Sequence, residues 1–251
     1  AVSWRAAFAI AAATALITFS AIRITVPKVP ALPDSGFAAQ FRFLRSLEPW
    51  LVLGAIGLGN GGFFAYYSYV NPVMEHVAAV PASMMSVVIT LAGAGMVLGN
   101  LFCAKISSSF SDESLAAAGQ GVLLLSLASV FFLAHWSPAA IALTTLAAGC
   151  VFFISGPEQV LMIRNAKEGQ LLAASLAQVS FNAGNAVGAW LGGLPIDAGK
   201  AANWAAMPGF FLALAGFGLL FVNWLIHRVR EEERTAGRIA ALQDQIQSKA
   251  P

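Results

Sequence analysis

The chain has 251 residues, of which 58% are apolar and only 10% are charged, and its formal net charge is +2 at pH 7. Soluble domains carry roughly 25% charged residues, so this composition excludes an ordinary soluble protein and indicates that lipid covers most of the surface. The small net charge, without a basic cluster, gives no indication of a nucleic-acid partner.

Long apolar segments follow one another along the chain, each able to cross a hydrocarbon layer roughly 30 Å thick at about 1.5 Å per residue. Seven spanning helices are predicted, near Trp4–Ile24, Trp50–Val70, Met84–Lys105, Ser114–Ala134, Pro138–Ser155, Leu171–Leu194 and Met207–Ile226. Turn and capping residues separate them, at Asn71-Pro72, Ser107–Ser114, Ser137-Pro138, Gly156-Pro157, Pro195 and Pro208.

Basic residues predict the orientation. When the sides of the membrane alternate across these helices, every Lys and Arg except Arg5 and Lys200 falls on one side. Basic loops stay in the cytoplasm, so we expect a cytoplasmic C-terminus and an external N-terminus. The first segment could instead be a signal peptide, but its apolar core is long and Arg23 follows it directly. Because the chain begins with Ala1 and has no leader, a truncated chain is expected.

Residues 26–48 separate the first helix from the other six and begin with three prolines. Apolar residues four and three positions apart, beside two arginines, predict a short amphipathic helix on the cytoplasmic membrane surface. The residues concerned are Phe37, Phe41, Leu44, Leu47, Arg42 and Arg45. An irregular linker is the alternative.

The other six helices form two triplets, 50–134 and 138–226, whose middle helices are rich in glycine. Gly95 and Gly99 in one, and Gly184, Gly188 and Gly192 in the other, have the small-xxx-small spacing that lets helices approach closely in lipid. The middle helices run in opposite directions, as an inverted repeat requires. The predicted fold is therefore an all-α membrane protein with a 3+3 inverted repeat, preceded by one further helix.

Several segments together resemble one family. They are Trp4–Phe8, Gly59–Val70, Gly93–Asn100, Asn165–Gly169 and Phe181–Ala189, the last being the most specific. The first three resemble parts of the sixth, seventh and eighth helices of drug/proton antiporters of the major facilitator superfamily, and the last two resemble the start and middle of the eleventh. The nearest group is the arabinose-efflux-like group of sugar and drug exporters. The loop at Lys105 departs from the family motif, since only this basic residue remains.

The resemblance implies twelve helices in two halves, and a bacterial inner-membrane exporter that couples efflux to protons by alternating access. Residues 1–25 would be the last helix of the N-terminal half, 26–48 a cytoplasmic linker, 49–227 the C-terminal six-helix half and 228–251 a cytoplasmic tail. The implied partners are the lipid bilayer, a small-molecule substrate, protons and the missing N-terminal half.

No catalytic, cofactor or metal site is predicted, and an enzyme is not expected. His76, His135 and His227 fall at helix ends, and no serine or cysteine is placed with a histidine and an acid as a nucleophile would require. Cys103 and Cys150 lie inside apolar segments and are expected to be buried packing residues.

Two polar stripes are candidates for a substrate cavity. The first combines Asn60, Phe63, Phe64, Tyr67 and Asn71 at helical spacing. Aromatic faces and amide groups suit an amphipathic ligand, although the same aromatics could simply pack against neighbouring helices.

The second stripe contains Gln178, Asn182 and Asn185. Contact with substrate and hydrogen bonding between helices are both open interpretations of this stripe. Gln178 and Asn182 join the first stripe as predicted cavity residues.

A proton-driven carrier needs an ionisable group inside the membrane, and none is predicted here. Glu158 is expected to be a surface acid at the membrane edge, with Arg164 nearby, and the other acids and histidines fall at helix ends or in loops. The proton-carrying residue is therefore expected in the missing first five helices.

A seven-helix receptor or photoreceptor with an external N-terminus is the alternative function. Its retinal-binding form is disfavoured because Met207–Ile226 contains no lysine for a Schiff base.

Orientation can be tested by labelling single cysteines in intact cells, after Cys103 and Cys150 are replaced by serine. A cysteine introduced near Arg45 or Arg234 should be protected from an impermeant thiol reagent, and one near Lys200 should react. Labelling near both Arg234 and Lys200 from outside would contradict the predicted helix count.

Overall fold

A computed structural model of the protein describes residues 4–27, 36–166 and 169–248, and all regular secondary structure within these ranges is helical. The α-helices are α1 (Trp4–Thr25), α2 (Phe37–Gln40), α3 (Glu48–Tyr67), α4 (Val70–Pro72), α5 (Met85–Ile106), α6 (Asp112–Leu133), α7 (Ser137–Asn165), α8 (Gln170–Asp197) and α9 (Ala206–Ser248). Short 3₁₀ turns cover Arg42–Arg45, Ala82–Met84 and Ala202–Ala205, and a π-helical turn covers Val73–Val77.

Helix α1 belongs to a compact unit of its own, Ala1–Ser35, and the other helices belong to Gly36–Pro251. The hydroxyl groups of Thr14, Thr18 and Ser20 each donate to the carbonyl oxygen four residues earlier, at 2.8–2.9 Å. These bonds satisfy the hydroxyls inside the helix, which suits a segment surrounded by hydrocarbon.

All seven predicted spanning segments are helical, which makes this a multi-pass α-helical membrane protein. Five helical segments are long and apolar enough to cross a membrane on those criteria alone: Phe8–Thr25, Ala82–Ile106, Asp112–Leu133, Ser137–Asn165 and Ala202–Glu233. Helices α3 and α8, with 20 and 28 residues, are not among these five segments. They are the two helices that carry the predicted polar stripes.

The segment predicted as a surface helix consists of two short pieces, α2 and the turn Arg42–Arg45. The indole N–H of Trp50 in α3 donates to the carbonyl oxygen of Leu44 at 2.8 Å, which fixes this turn to the start of α3. The side chain of Phe37 lies outside what the structure describes.

Two predicted helix boundaries are confirmed. Helix α6 begins at Asp112 within the predicted serine segment, and the Ser111 hydroxyl caps it by accepting from the Ser114 backbone N–H at 3.3 Å. Helix α7 begins at Ser137 with Pro138 in its first turn, where the missing N–H of proline costs nothing.

The boundary predicted at Gly156-Pro157 is wrong, because α7 continues through Pro157 to Asn165. Pro157 cannot donate to the preceding turn, but membrane helices tolerate such a gap where neighbouring helices enclose it, and Pro157 is buried. Helix α8 likewise continues past Pro195 to Asp197. The error at Pro157 matters for function, since it places Glu158 inside a helix.

The predicted small-residue patterns are confirmed as contacts between backbones. On α8, Gly184 and Gly188 face the carbonyl groups of Gly57 and Gly61 on α3, and a Cβ atom at either glycine of α8 would collide with them. One turn further along, Gly192 faces the carbonyl group of Ala65 in the same way. This glycine ladder lets α3 and α8 pack backbone against backbone.

Helix α3 also packs closely against α9, where Gly62 lies against Gly209 and Gly216 lies against Gly59. On the other side of the bundle, Gly95 and Gly99 of α5 face the carbonyl groups of Thr145 and Gly149 on α7. Since van der Waals packing replaces the hydrophobic effect as the main attraction between helices in lipid, these close approaches hold the bundle together.

The glycine ladder predicts a sharp contrast between two Gly→Ala substitutions. In Gly188→Ala the new methyl group forces α3 and α8 apart, so the free energy of unfolding should fall by about 1–3 kcal/mol. In Gly218→Ala on α9 nothing lies within 4 Å of the new methyl group, and stability should be unchanged or slightly higher. Unfolding by a denaturing detergent measures both, and equal stabilities would contradict the ladder.

Candidate functional site

Two residues of the first predicted stripe, Asn60 and Phe63, are fully buried in the helical bundle. The Asn60 amide nitrogen donates to the carbonyl oxygen of Ile56 at 2.8 Å, and its Oδ1 atom has no hydrogen-bond partner among the described residues. Phe63 belongs to the main apolar core. For Phe63 the structure therefore shows the packing arrangement that the sequence left open as the alternative.

Phe64 and Tyr67 are only partly buried and form an aromatic cluster with Phe63 and with Phe181 of α8. The Tyr67 ring stacks on Phe63 with centroids 4.7 Å apart, and Phe64 meets Phe181 edge to face at 6.1 Å. The two predicted stripes are thus brought together through Phe64 and Phe181. Phe181 was not among the predicted site residues, because aromatic residues are common in membrane helices and its spacing alone does not distinguish it.

The amide residues of the second stripe lie on the same part of α8. Gln178 and Asn182 are exposed, and the Asn182 amide donates to the Gln178 carbonyl oxygen at 3.0 Å. Asn185 has a buried Oδ1 atom without a partner among the described residues. Asn71 does not lie on the same helix as either group. Helix α3 ends at Tyr67, and Asn71 is exposed in α4.

A cavity of about 320 Å³ lies between α3, α7 and α8. Its lining combines apolar residues with hydroxyl, amide and carboxyl groups, and includes Ile56, Ser155, Glu158, Gln159, Gln178 and Phe181. Because Phe181 contacts Phe64 and Gln178 is itself a predicted cavity residue, the cavity adjoins the predicted substrate residues.

Glu158 is not the surface acid that the sequence predicted. Its side chain is 2% exposed, and its Oε1 atom has no hydrogen-bond partner among the described residues. Glu158 lies about 10 Å, or two turns, before the end of α7, at 1.5 Å per residue. The prediction failed because it ended the helix at Pro157.

Arg164 was expected near Glu158 but binds other acids. Its guanidinium pairs with Glu113 at the start of α6 and lies 3.8 Å from the Asp112 carboxylate. His227 of α9 lies 3.4 Å from the same Glu113 oxygen, and Arg230 of α9 pairs with Glu48 at the start of α3. We call this group, Glu48, Asp112, Glu113, Arg164, His227 and Arg230, the charged end of the bundle.

Two further buried polar contacts were missed by the sequence reasoning. The Tyr66 hydroxyl lies 2.5 Å from the Thr144 hydroxyl and links α3 to α7. The Gln120 amide donates to the Ala213 carbonyl oxygen at 3.2 Å and links α6 to α9. A single polar residue in an apolar helix indicates in the sequence that such a contact exists. Its partner can be identified only from the packing of the helices.

A larger groove of about 1360 Å³ lies between α5, α6 and α7 and contains none of the predicted site residues. Its lining is almost entirely apolar and includes Leu98, Phe102, Val122 and Phe153. A wall of this kind suits hydrocarbon chains and lacks the polar groups that orient a ligand. The candidate site is therefore the smaller cavity with the adjoining aromatic and amide surface.

Comparison with known proteins gives transporters as relatives, and no family model matches the chain. The chain is 34% identical over 220 residues to the putative transporter AraJ of Escherichia coli K12, covering 88% of this chain and 56% of that protein. It is 28% identical over 225 residues to the inner membrane transport protein YdhP of the same strain, covering 88% and 56%.

Identity to the purine ribonucleoside efflux pump NepI of Escherichia coli K12 is 25% over 201 residues, which covers 78% of this chain and 49% of the pump. The chain thus spans about half the length of the curated relatives it matches. Since these relatives are transporters, the receptor alternative is not favoured.

The charged end predicts a stability difference between two arginine substitutions. Arg164→Ala leaves the Glu113 carboxylate, 1% exposed, without its main partner, so the free energy of unfolding should fall by about 1–3 kcal/mol. Arg228→Ala removes an ion pair in which both Arg228 and Glu232 are exposed, so the free energy of unfolding should change by no more than about 1 kcal/mol. Detergent unfolding at neutral pH compares them, and an equal loss in both would refute a structural role for the Arg164–Glu113 pair.

Proposed function

We propose that this chain forms part of a secondary active exporter of the major facilitator superfamily. The exporter moves small molecules out of the cell in exchange for protons, by alternating access. In this proposal the six helices α3 and α5–α9 work with a second six-helix half, and substrate binds between the halves. Similarity to transporters over 88% of the chain carries the proposal.

The surface around Phe64, Tyr67 and Phe181 supports a binding role. Partly exposed aromatic rings offer faces for stacking, and Gln178 and Asn182 offer amide groups for orientation. Asn60 on α3 is buried and Gln178 on α8 lines the cavity, and polar residues inside a membrane helix are expected to face a cavity or a partner.

The chemistry of this surface favours a substrate that combines a planar or apolar ring with hydrogen-bonding groups. One relative is named as a purine ribonucleoside efflux pump, and a nucleoside has this combination. Sugars, phenicol-like drugs and other small metabolites remain in the same class, since aromatic and amide groups accept all of them.

In the proposed topology the charged end faces the cytoplasm of a bacterial cell, with the C-terminal part of α9 on the same side. The basic residues Arg164, Arg228 and Arg230 lie at this end, in agreement with the positive-inside rule. Lys200 lies beyond the opposite end of α8 and would be external.

Transport can be tested in inverted membrane vesicles with an acidic interior, using labelled purine ribonucleosides, pentoses and chloramphenicol as probes. The chain is expressed alone and together with the five-helix segment proposed to precede it. Gradient-driven uptake should require both segments and should disappear when a protonophore collapses the gradient. Uptake by the chain alone would overturn the proposed division into halves, and no gradient-driven uptake of any probe would overturn the proposed exporter.

Substitutions in the aromatic cluster should separate binding from packing. Phe64→Ala and Tyr67→Ala should lower transport per molecule or alter the preferred probe while membrane abundance stays near normal. Phe63→Ala removes a fully buried ring and should cost about 3–5 kcal/mol of stability, with lower abundance. Phe211→Ala, on the exposed face of α9, is the control and should affect neither. Normal transport per molecule in both partly buried variants would exclude them from the site.

A further inference from the structure

Glu158 and Asn60 form a buried polar pair in the interior of the bundle. Their side chains are 2% and 1% exposed on α7 and α3, and an Asn60 N–H group faces the Glu158 carboxyl. Each contributes one oxygen, Oε1 of Glu158 and Oδ1 of Asn60, that has no hydrogen-bond donor among the described residues. The pair therefore contains two acceptor oxygens that no described donor satisfies.

A proton on Glu158 would correct both defects. It neutralises the carboxyl, whose ionised form is costly in a buried site without a cation, and it supplies an O–H group that can donate to Asn60 Oδ1. The Asn60 nitrogen carries two N–H groups. One donates to the Ile56 carbonyl oxygen at 2.8 Å, and neither satisfies Glu158 Oε1. The pair is thus arranged to receive one proton.

No described cation neutralises Glu158. On its own helix the one basic residue, Arg164, is paired with Glu113. The charged and titratable groups on the elements packed against α7 lie at helix ends, except for tyrosines and one cysteine that are neutral at pH 7. They are Lys105 and Cys103 on α5, Asp112 and Glu113 on α6, Glu48, Tyr66 and Tyr67 on α3, Asp197 on α8, Glu75 and His76 in the π-helical turn, and Cys150 on α7 itself.

The cavity between α3, α7 and α8 gives Glu158 a route for proton exchange. Glu158 lines this cavity of about 320 Å³ together with the polar side chains of Ser155, Gln159 and Gln178. Water takes up about 30 Å³ per molecule in the liquid, so the volume is sufficient for a short hydrogen-bonded chain of water molecules. Gln178 and Phe181 also connect the cavity to the proposed substrate surface.

We infer that Glu158 is a proton-binding residue of this transporter, with Asn60 as its hydrogen-bonding partner. The inference rests on the proposed function and replaces the expectation that the proton carrier lies wholly outside this chain. On the acidic side the carboxylate takes a proton from hydronium, so that a hydronium O–H bond breaks as the carboxyl O–H bond forms and water is left. On the other side, when the cavity opens there, the carboxyl O–H bond breaks and water becomes hydronium. Because substrate and proton share one cavity, binding of one can promote release of the other.

Infrared difference spectroscopy of the full chain in lipid vesicles tests proton binding without any substrate. The wild-type protein should show the carbonyl band of a protonated carboxylic acid that loses intensity between mildly acidic and mildly alkaline pH. Glu158→Gln should lose this band, and Asn60→Ala should shift its frequency because a hydrogen-bond acceptor has gone. Glu75→Gln, which removes an exposed acid, should keep the band unchanged.

A band that remains in Glu158→Gln, or a Glu158 band that stays constant over this pH range, would overturn the inference. If Glu158→Gln does not fold, Glu158→Asp provides the same test through a shift of the band. Transport distinguishes this failure from failure of the proposed exporter. Gradient-driven uptake in Glu158→Gln should fall at least tenfold, while exchange of labelled for unlabelled probe without a gradient continues. If the wild-type protein shows gradient-driven uptake and the Glu158→Gln variant shows the same uptake, only the proton-binding role of Glu158 is refuted.

Discussion

The close backbone contact of α3 with its neighbours is the constraint on which the rest of the bundle depends. In lipid, apolar side chains gain little by leaving the solvent, so helices stay together where their surfaces fit. The glycines of α8 and α9 let α3 approach both helices closely. This close approach fixes the positions of Asn60, Phe64 and Tyr66 relative to the neighbouring helices. The Phe64–Phe181 contact and the Asn60–Glu158 pair both depend on the position of α3.

The same packing explains why the polar groups fall into separate layers. At the charged end, Glu48 and Glu113 at helix starts meet Arg164 near the end of α7 and Arg230 within α9. In the interior, isolated polar contacts such as Tyr66 with Thr144 and Gln120 with Ala213 each join two helices. Glu158 lies about two turns before the end of α7 that carries Arg164, and Arg164 pairs with Glu113.

Much of the helical fold was predictable because apolar segments of spanning length and capping residues such as Ser111 are local features. The small-residue spacing likewise predicted which faces of α5 and α8 approach a neighbour. Residues whose environment depends on distant partners were not predictable in the same way. Pro157 resembles a helix end in sequence, yet burial between helices keeps α7 continuous. Arg164 is closer in sequence to Glu158 but pairs with Glu113, since α6 brings that acid to the end of α7. Of the predicted cavity residues, Phe64 contacts Phe181, which lines the cavity together with Gln178. Phe63 is buried, and Asn71 lies beyond the end of α3.

The length of helix α9 has a mechanical consequence. It runs without interruption from Ala206 to Ser248, and the apolar segment suited to the membrane ends by Glu233. The part beyond Glu233 is about 22 Å long at 1.5 Å per residue. With no break between the two parts, a tilt of about 10° within the bilayer would move the far end sideways by about 4 Å over this length. The helix is therefore a lever arm that would report rocking of the bundle at a distance from the membrane.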